Sequence, residues 1–116
     1  MLRVEHLKKE YNGLVAVNDL SFELRRGEVL GLLGPNGAGK TTTIRMIIDM
    51  IKPDSGKVFF NDHLAVEADR IGYLPEERGL YRRSKVRETL VYFARLKNVP
   101  KSRAEEKADY WLQRFD

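Results

Sequence analysis

The segment Gly-Pro-Asn-Gly-Ala-Gly-Lys-Thr-Thr at positions 34–42 contains residue types that can bind a chain of phosphate groups. Gly37 and Gly39 lack Cβ atoms, so the backbone can adopt positive φ and bring successive N–H groups close to phosphate oxygens. The Lys40 ammonium is expected to reach the β- and γ-phosphates, and the Thr41 hydroxyl to coordinate Mg²⁺. The candidate phosphate-binding residues are Gly34, Pro35, Asn36, Gly37, Ala38, Gly39, Lys40, Thr41 and Thr42.

The flanking sequence predicts a strand before this segment and a helix after it. Residues 28–33 form a nearly continuous apolar run, which is typical of a parallel strand buried on both faces. Isoleucines at helical spacing predict an amphipathic helix over residues 40–51, whose N-terminal dipole would favour an anion at the loop. Residues 34–41 match the phosphate-loop pattern G-x-x-x-x-G-K-[ST] in full, in the strand-to-helix context that the pattern requires. The alternative is a glycine-rich turn without a ligand.

The rest of the chain predicts an α/β fold with further strands and helices. Alternating or short apolar runs predict strands at residues 2–8, 20–25, 57–60 and 71–74. The first two of these are expected to be antiparallel and half-exposed. Ser84 is a predicted N-cap for a helix over residues 85–98. Ser102 and Glu105 form a predicted capping box for a second helix.

Composition describes one small domain without thiol chemistry. The chain has 116 residues and no cysteine, which excludes disulfides, thiolate catalysis and zinc–thiolate sites. Its apolar stretches are far shorter than the roughly 20 residues that span a bilayer, so no membrane span is expected. Net charge is +4, from 21 basic and 17 acidic residues. The basic excess is concentrated in residues 70–103. We interpret this segment as a solvated face or as a surface that binds a transmembrane partner or an anionic leaflet. Binding of nucleic acid is the weaker alternative.

A series of landmark segments extends along the whole chain. They are Tyr11, Val15-Ala16-Val17, Leu20-Ser21-Phe22, Gly27-Glu28-Val29, the phosphate loop, Pro53-Asp54-Ser55-Gly56 and Ile71-Gly72-Tyr73-Leu74-Pro75. In type and order they resemble the nucleotide-binding subunit of ATP-binding-cassette (ABC) transporters. The resemblance implies an α/β, ABC-type phosphate-loop NTPase core with an antiparallel β-subdomain over residues 1–84, followed by the start of a helical subdomain over residues 85–116. The run GYLPEERGLYRRSKVRETL is similar to the branch that powers extrusion.

The same resemblance implies ATP as the ligand and adds three residues to the site. Tyr11 corresponds to an aromatic residue that stacks on adenine, and Val17 lies near the same face; an ordinary packing role is the alternative for Tyr11. Glu76 occupies a position where the family usually has the glutamine of the Q-loop, which contacts Mg²⁺. A carboxylate is a good Mg²⁺ ligand but lacks an amide donor. The metal ligands implied are Thr41 and Glu76.

Four elements that the family needs for hydrolysis do not occur in these 116 residues. They are the LSGGQ signature, the acidic-ended Walker B strand, the glutamate after it and the switch histidine. Residues 58–62, an apolar run that ends in Asp62, are interpreted as a plain strand and turn. The chain is expected to be the truncated first part of an ABC ATPase subunit, inactive alone, while the full-length protein is an ATPase.

Three functions are compatible with the sequence. The first is the ATP-binding, energy-coupling subunit of an ABC exporter. Its partners would be a transmembrane permease subunit and a second nucleotide-binding subunit, and it would lie in the cytoplasm at the inner face of the plasma membrane. The second is a soluble ABC ATPase without a transporter, and the third a nucleotide-binding module without catalysis. No nucleic-acid partner is expected. Self-association is expected through an exposed strand edge and an apolar face that carries Trp111 and Phe115.

Overall fold

The computed structural model describes residues 1–64, 70–76 and 84–115. Two compact units are present, Met1–Ile71 and Gly72–Asp116. The boundary between them falls earlier than residue 84, and the functional division at that residue stays a prediction. Part of the basic segment over 70–103, including Arg78, Arg82 and Arg83, lies outside the described residues.

The first unit contains a three-stranded antiparallel sheet. Its strands are β1 (Leu2–Tyr11), β2 (Leu14–Leu24) and β3 (Ser55–Phe60), in the order β2-β1-β3. The predicted antiparallel pair is confirmed, and both strands are longer than predicted. The reason is a two-residue hairpin turn at Asn12 and Gly13, whose φ angles of 48° and 84° match the twist of the flanking strands.

β3 confirms the interpretation of residues 58–62 as a strand followed by a turn. The strand ends at Phe60, which forms an isolated bridge with His63. Between them Asn61 and Asp62 have φ angles of 50° and 64°. Asn and Asp adopt this left-handed conformation more readily than most residues, so the turn is determined by the residue types at these two positions.

Helix α1 (Lys40–Ile47) packs on this sheet through a small core. The buried cluster consists of Val4 and Leu7 from β1, Val17 from β2 and Met46 from α1. Full burial of such a side chain contributes roughly 1.5–3 kcal/mol relative to leaving it exposed. The core therefore fixes the helix that follows the phosphate loop against the two strands of the hairpin.

α1 ends before Ile51, where the isoleucine spacing had placed its last turn. Asp49 adopts a φ of 59°, and its amide donates to the Met46 carbonyl at 3.1 Å. The Met50 amide donates a hydrogen bond to the Arg45 carbonyl at 2.8 Å. These two bonds form a Schellman motif, which satisfies the last carbonyls and turns the chain away from the helix axis.

Residues 28–33 and 71–74 do not form the strands that the sequence predicted. No strand among the described residues pairs with either segment, and Val29 and Leu33 are 98% and 92% exposed. A parallel strand is stable only beside neighbours that complete its ladder of hydrogen bonds and layers that cover both of its faces. The described residues supply neither.

The second unit contains the helices α2 (Val86–Leu96) and α3 (Lys101–Arg114). Both predicted caps are wrong. Lys85, not Ser84, is the N-cap of α2, and Ser102 lies inside the first turn of α3 because that helix begins directly after Pro100; neither helix has a side-chain cap bond. Proline fixes φ and readily precedes a helix, which leaves no place for a serine cap two residues later.

An ion pair joins the two helices. Arg87 Nε and Nη2 donate to the two carboxylate oxygens of Asp109 at 2.6 and 2.8 Å. This hydrogen bonding lowers the pKa of Asp109 and raises that of Arg87. The charge of Arg87, a residue of the basic segment, is thus neutralised within the second unit, because two N–H groups of a guanidinium can bond to the two oxygens of one carboxylate.

Candidate nucleotide-binding site

The phosphate loop has the backbone conformation that the glycines predicted. Gly37 and Gly39 have φ angles of 85° and 81°, in the left-handed region. The Ala38 amide donates to the Pro35 carbonyl at 3.2 Å and closes a turn. α1 begins at Lys40 with Gly39 as its N-cap and no side-chain acceptor. The first N–H groups of a helix have no acceptor inside it, so this end can bind an anion.

Gly39 is the point at which the loop contacts the hairpin. A Cβ at this position would overlap the Ala16 carbonyl oxygen and approach the Val17 Cγ2 atom to 3.1 Å. Gly37 has nearly the same φ, but a Cβ at this position would lie in open space. Gly39 is required both by its conformation and by the strand beside it, whereas Gly37 is required by its conformation alone.

The Lys40 ammonium lies over the loop. Its Nζ atom donates to the carbonyl oxygens of Gly34 and Pro35, at 2.7 Å in each case. Phosphate oxygens carry charge and accept stronger hydrogen bonds than carbonyls do. The loop carbonyls therefore hold this cation at the start of α1, and a phosphate oxygen would compete with them for it.

The threonines that follow Lys40 differ in accessibility. Thr41 is exposed and Thr42 half-buried, while Thr43 is buried at 3% exposure. The hydroxyl predicted to coordinate Mg²⁺ is thus available to a ligand. The buried Thr43 belongs to the face of α1 that packs on the sheet.

Tyr11 is the last residue of β1, next to the hairpin turn, and is 45% exposed. Val17 lies on the paired strand but is only 7% exposed and belongs to the core. Tyr11 can offer a ring face to a base, whereas Val17 has little accessible surface. Contacts of both residues with adenine stay predictions.

Glu76 is exposed and belongs to the second unit, while the phosphate loop belongs to the first. Its role as a metal ligand stays a prediction. The described residues contain no cluster of three or more acidic or histidine side chains arranged to hold a metal ion. A phosphate-loop threonine binds Mg²⁺ together with phosphate oxygens, so such a cluster is not required.

Sequence reasoning missed a contact that links Tyr11 to the turn before β3. Lys9 Nζ lies 5.4 Å from the centroid of the Tyr11 ring and donates to Asp54 Oδ1 at 2.7 Å. Nothing in the spacing of positions 9 and 54 reveals this pair. The Asn12-Gly13 dipeptide, however, is a strong hairpin signal that could have located Tyr11 at a strand end.

Residues 34–41 match the phosphate-loop pattern and lead directly into α1, which confirms the helix side of the expected context, while the strand expected before the loop is not formed by residues 28–33. Residues 17–116 match the family model described as ABC transporter. The chain belongs to the ABC transporter family, among its ATP-binding proteins.

Relatives agree with this assignment. The chain is 43% identical to the uncharacterized ABC transporter ATP-binding protein YhaQ of Bacillus subtilis (strain 168), across 100% of this chain and 40% of YhaQ. It is 36% identical to the lipopolysaccharide export system ATP-binding protein LptB of Haemophilus influenzae, across 100% of this chain and 52% of LptB. A solved structure described as the ATP binding subunit of an ABC transporter matches with a TM-score of 0.74 and 30% identity, over 87% of this chain and 44% of that one.

The chain spans about half the length, or less, of the curated relatives that it matches. The three-stranded antiparallel sheet with helices agrees with the predicted ABC-type α/β fold class. None of the helices in the described part of the chain is long and apolar enough to cross a membrane.

Proposed function

We propose that this chain forms the Mg·ATP-binding part of the energy-coupling subunit of an ABC transporter. The observation that carries the proposal is the contact of Gly39 with Ala16, which places the phosphate loop on the hairpin whose tip bears the exposed Tyr11. A loop for phosphates and an aromatic ring for a base are thereby attached to the same hairpin. Nucleotide binding needs both subsites at a fixed separation.

The residue roles follow from this arrangement. Lys40 binds the β- and γ-phosphates after leaving the loop carbonyls, and the loop and helix N–H groups bind phosphate oxygens. Thr41 coordinates Mg²⁺, with Glu76 as a second proposed ligand. Tyr11 stacks on adenine, with Val17 beneath the loop at the same strand pair.

Hydrolysis is proposed for a longer protein that contains the signature, Walker B and switch elements, which the 116-residue sequence lacks. That protein would act as a homodimer of nucleotide-binding subunits on a transmembrane permease subunit, cytoplasmic and peripheral to the inner face of the plasma membrane. The coverage of 40% of YhaQ and 52% of LptB supports a longer protein. The name of LptB, an export-system protein, supports an exporter.

Calorimetric titration of the chain with Mg·ATP tests the binding proposal. Lys40→Ala is expected to abolish measurable binding, because the cation that meets the β- and γ-phosphates is lost. Lys52→Ala is the matched control, since Lys52 is exposed, follows the C-terminal end of α1 and pairs only with Asp49 among the contacts described. Absence of binding by the unaltered chain, or equal binding by Lys40→Ala, would refute the proposal.

A second measurement tests the assignment of hydrolysis to the longer protein. The 116-residue chain is expected to release no phosphate from ATP above the background rate. Phosphate release that disappears in Lys40→Ala would show that this chain is itself an ATPase. The control for contaminating activity is the same assay on Lys40→Ala prepared in parallel.

A further inference from the structure

Lys9 occupies an unusual position for a lysine on a sheet. Its side chain is only 17% exposed, and its Nζ atom donates to Asp54 Oδ1 at 2.7 Å. The same ammonium lies over the Tyr11 ring, 5.4 Å from the centroid. The Lys9 ammonium contacts both a carboxylate and an aromatic ring, and most of the side chain is buried. The side chain therefore has few rotamers available.

Asp54 is itself held in place by the backbone of β1. Its Oδ2 atom accepts from the Glu10 amide at 2.7 Å, and its own amide donates to the Lys8 carbonyl at 2.9 Å. These contacts lie where the β1–β2 register shifts between Lys9 and Glu10. Hydrogen bonds from Lys9 and from the Glu10 amide lower the pKa of Asp54, so its carboxylate stays ionised at neutral pH.

We propose that Lys9, held by Asp54, is a positioning residue for the base of a bound purine nucleotide: its ammonium covers one face of the Tyr11 ring and leaves the other face for the base. This inference rests on the proposed function, because it needs Tyr11 to contact the base.

The physical reason is pre-organisation. Tyr11 ends β1 beside a two-residue turn and is 45% exposed, so its ring would otherwise be free to rotate. A ring held by a cation on one face loses less conformational entropy when a base stacks on the other. The effect is confined to the base, because the described contacts of Lys9 do not include the phosphate loop.

Two ligands separate this role from a general effect of charge. Mg·ATP contains a base, and inorganic tripolyphosphate with Mg²⁺ contains only the phosphate chain. Lys9→Met is expected to weaken ATP binding about two- to fivefold, the amount that corresponds to an exposed cation–π contact, and to leave tripolyphosphate binding unchanged. Lys57→Met, which removes an exposed lysine from β3, is the matched control and is expected to alter neither.

Two further variants guard against a folding defect in Lys9→Met. Lys9→Arg keeps a cation over the ring and is expected to restore the ratio of ATP to tripolyphosphate affinity. Asp54→Asn keeps the acceptor for the Glu10 amide but removes the charge that holds Lys9, and is expected to lower the same ratio.

The outcomes are distinguishable. If Tyr11→Ala weakens ATP binding while Lys9→Met and Asp54→Asn do not, the positioning role is wrong and the proposed function stands. Equal weakening of both ligands by Lys9→Met would show a charge effect and overturn the inference. If the unaltered chain binds neither ligand, the proposed function fails and the inference fails with it.

Discussion

Gly39 lies so close to Ala16 that any side chain on Gly39 would overlap the Ala16 carbonyl oxygen. The phosphate loop is therefore positioned by main-chain contact with β2. No side-chain hydrogen bond caps α1 at this end. This close approach and the packing of Met46 in the core together hold α1 against the sheet.

Gly39→Ala is expected to destabilise the fold more than Gly37→Ala. Both residues have φ near 80–85°, where an alanine costs about 1–2 kcal/mol, but only Gly39 would also meet the Ala16 backbone. Urea unfolding of the two variants measures the difference. Gly37→Ala is the control for backbone strain, and equal free energies of unfolding would contradict the close contact.

Lys40→Met is expected to separate folding from binding. The two hydrogen bonds of Lys40 Nζ lie in an exposed loop, so their loss is expected to change the free energy of unfolding by less than about 1 kcal/mol. Thermal unfolding without ligand should therefore resemble that of the unaltered chain, while the stabilisation by Mg·ATP disappears. A large loss of stability without ligand would assign Lys40 a structural role instead.

Asp109→Asn is expected to change the pH dependence of helix stability in the second unit. The pKa of Asp109 in the fold is lowered from its ordinary value of 3.8 by Arg87, with Glu88 and Glu105 the acidic neighbours of that guanidinium. The pair stabilises the fold above that ordinary value, and its contribution is lost as pH falls through the lowered pKa. Circular dichroism melts between about pH 5 and pH 2 should show a steeper loss in the unaltered chain than in Asp109→Asn. Parallel curves would contradict this assignment.

Phe115→Ser is expected to reduce self-association of the chain. Phe115 is 81% exposed, and its ring stacks on Trp111 with centroids 5.8 Å apart. Both line an apolar groove of about 660 Å³ between α2 and α3. Light scattering over a concentration series measures the effect, with Leu96→Ser as the control because Leu96 is exposed but does not line the groove. If the unaltered chain stays monomeric at high concentration, the prediction is contradicted.

Structural features that depend on short segments could be predicted from the sequence. The positive φ of Gly37 and Gly39, the start of α1 at Lys40 and the antiparallel pair β1–β2 are all confirmed. The glycine conformations and the start of α1 depend on residues within a few positions of one another, and the strand pair is joined by the two-residue turn at Asn12 and Gly13. The apolar period of residues 40–51 located the helix but overestimated its length, because Asp49 supplies a left-handed stop that periodicity does not record.

Features that depend on distant partners were not predictable. Residues 28–33 have the composition of a central strand, yet the described residues offer them no neighbour, and their conformation is not regular. The contact of Lys9 with Asp54 joins positions that are 45 residues apart. Periodicity contains no information about either, since both are determined by which segments pack together.

The close approach at Gly39 and the hydrogen bonds of Asp54 attach to the two strands of one hairpin, β2 and β1. The separation of the Tyr11 main chain from the phosphate loop is consequently determined by main-chain contacts, and the ring itself is positioned by Lys9. A bound nucleotide would have to match that distance with its sugar and phosphate chain. The site is thereby expected to favour nucleotides whose sugar and phosphate chain can span from the ring to the loop.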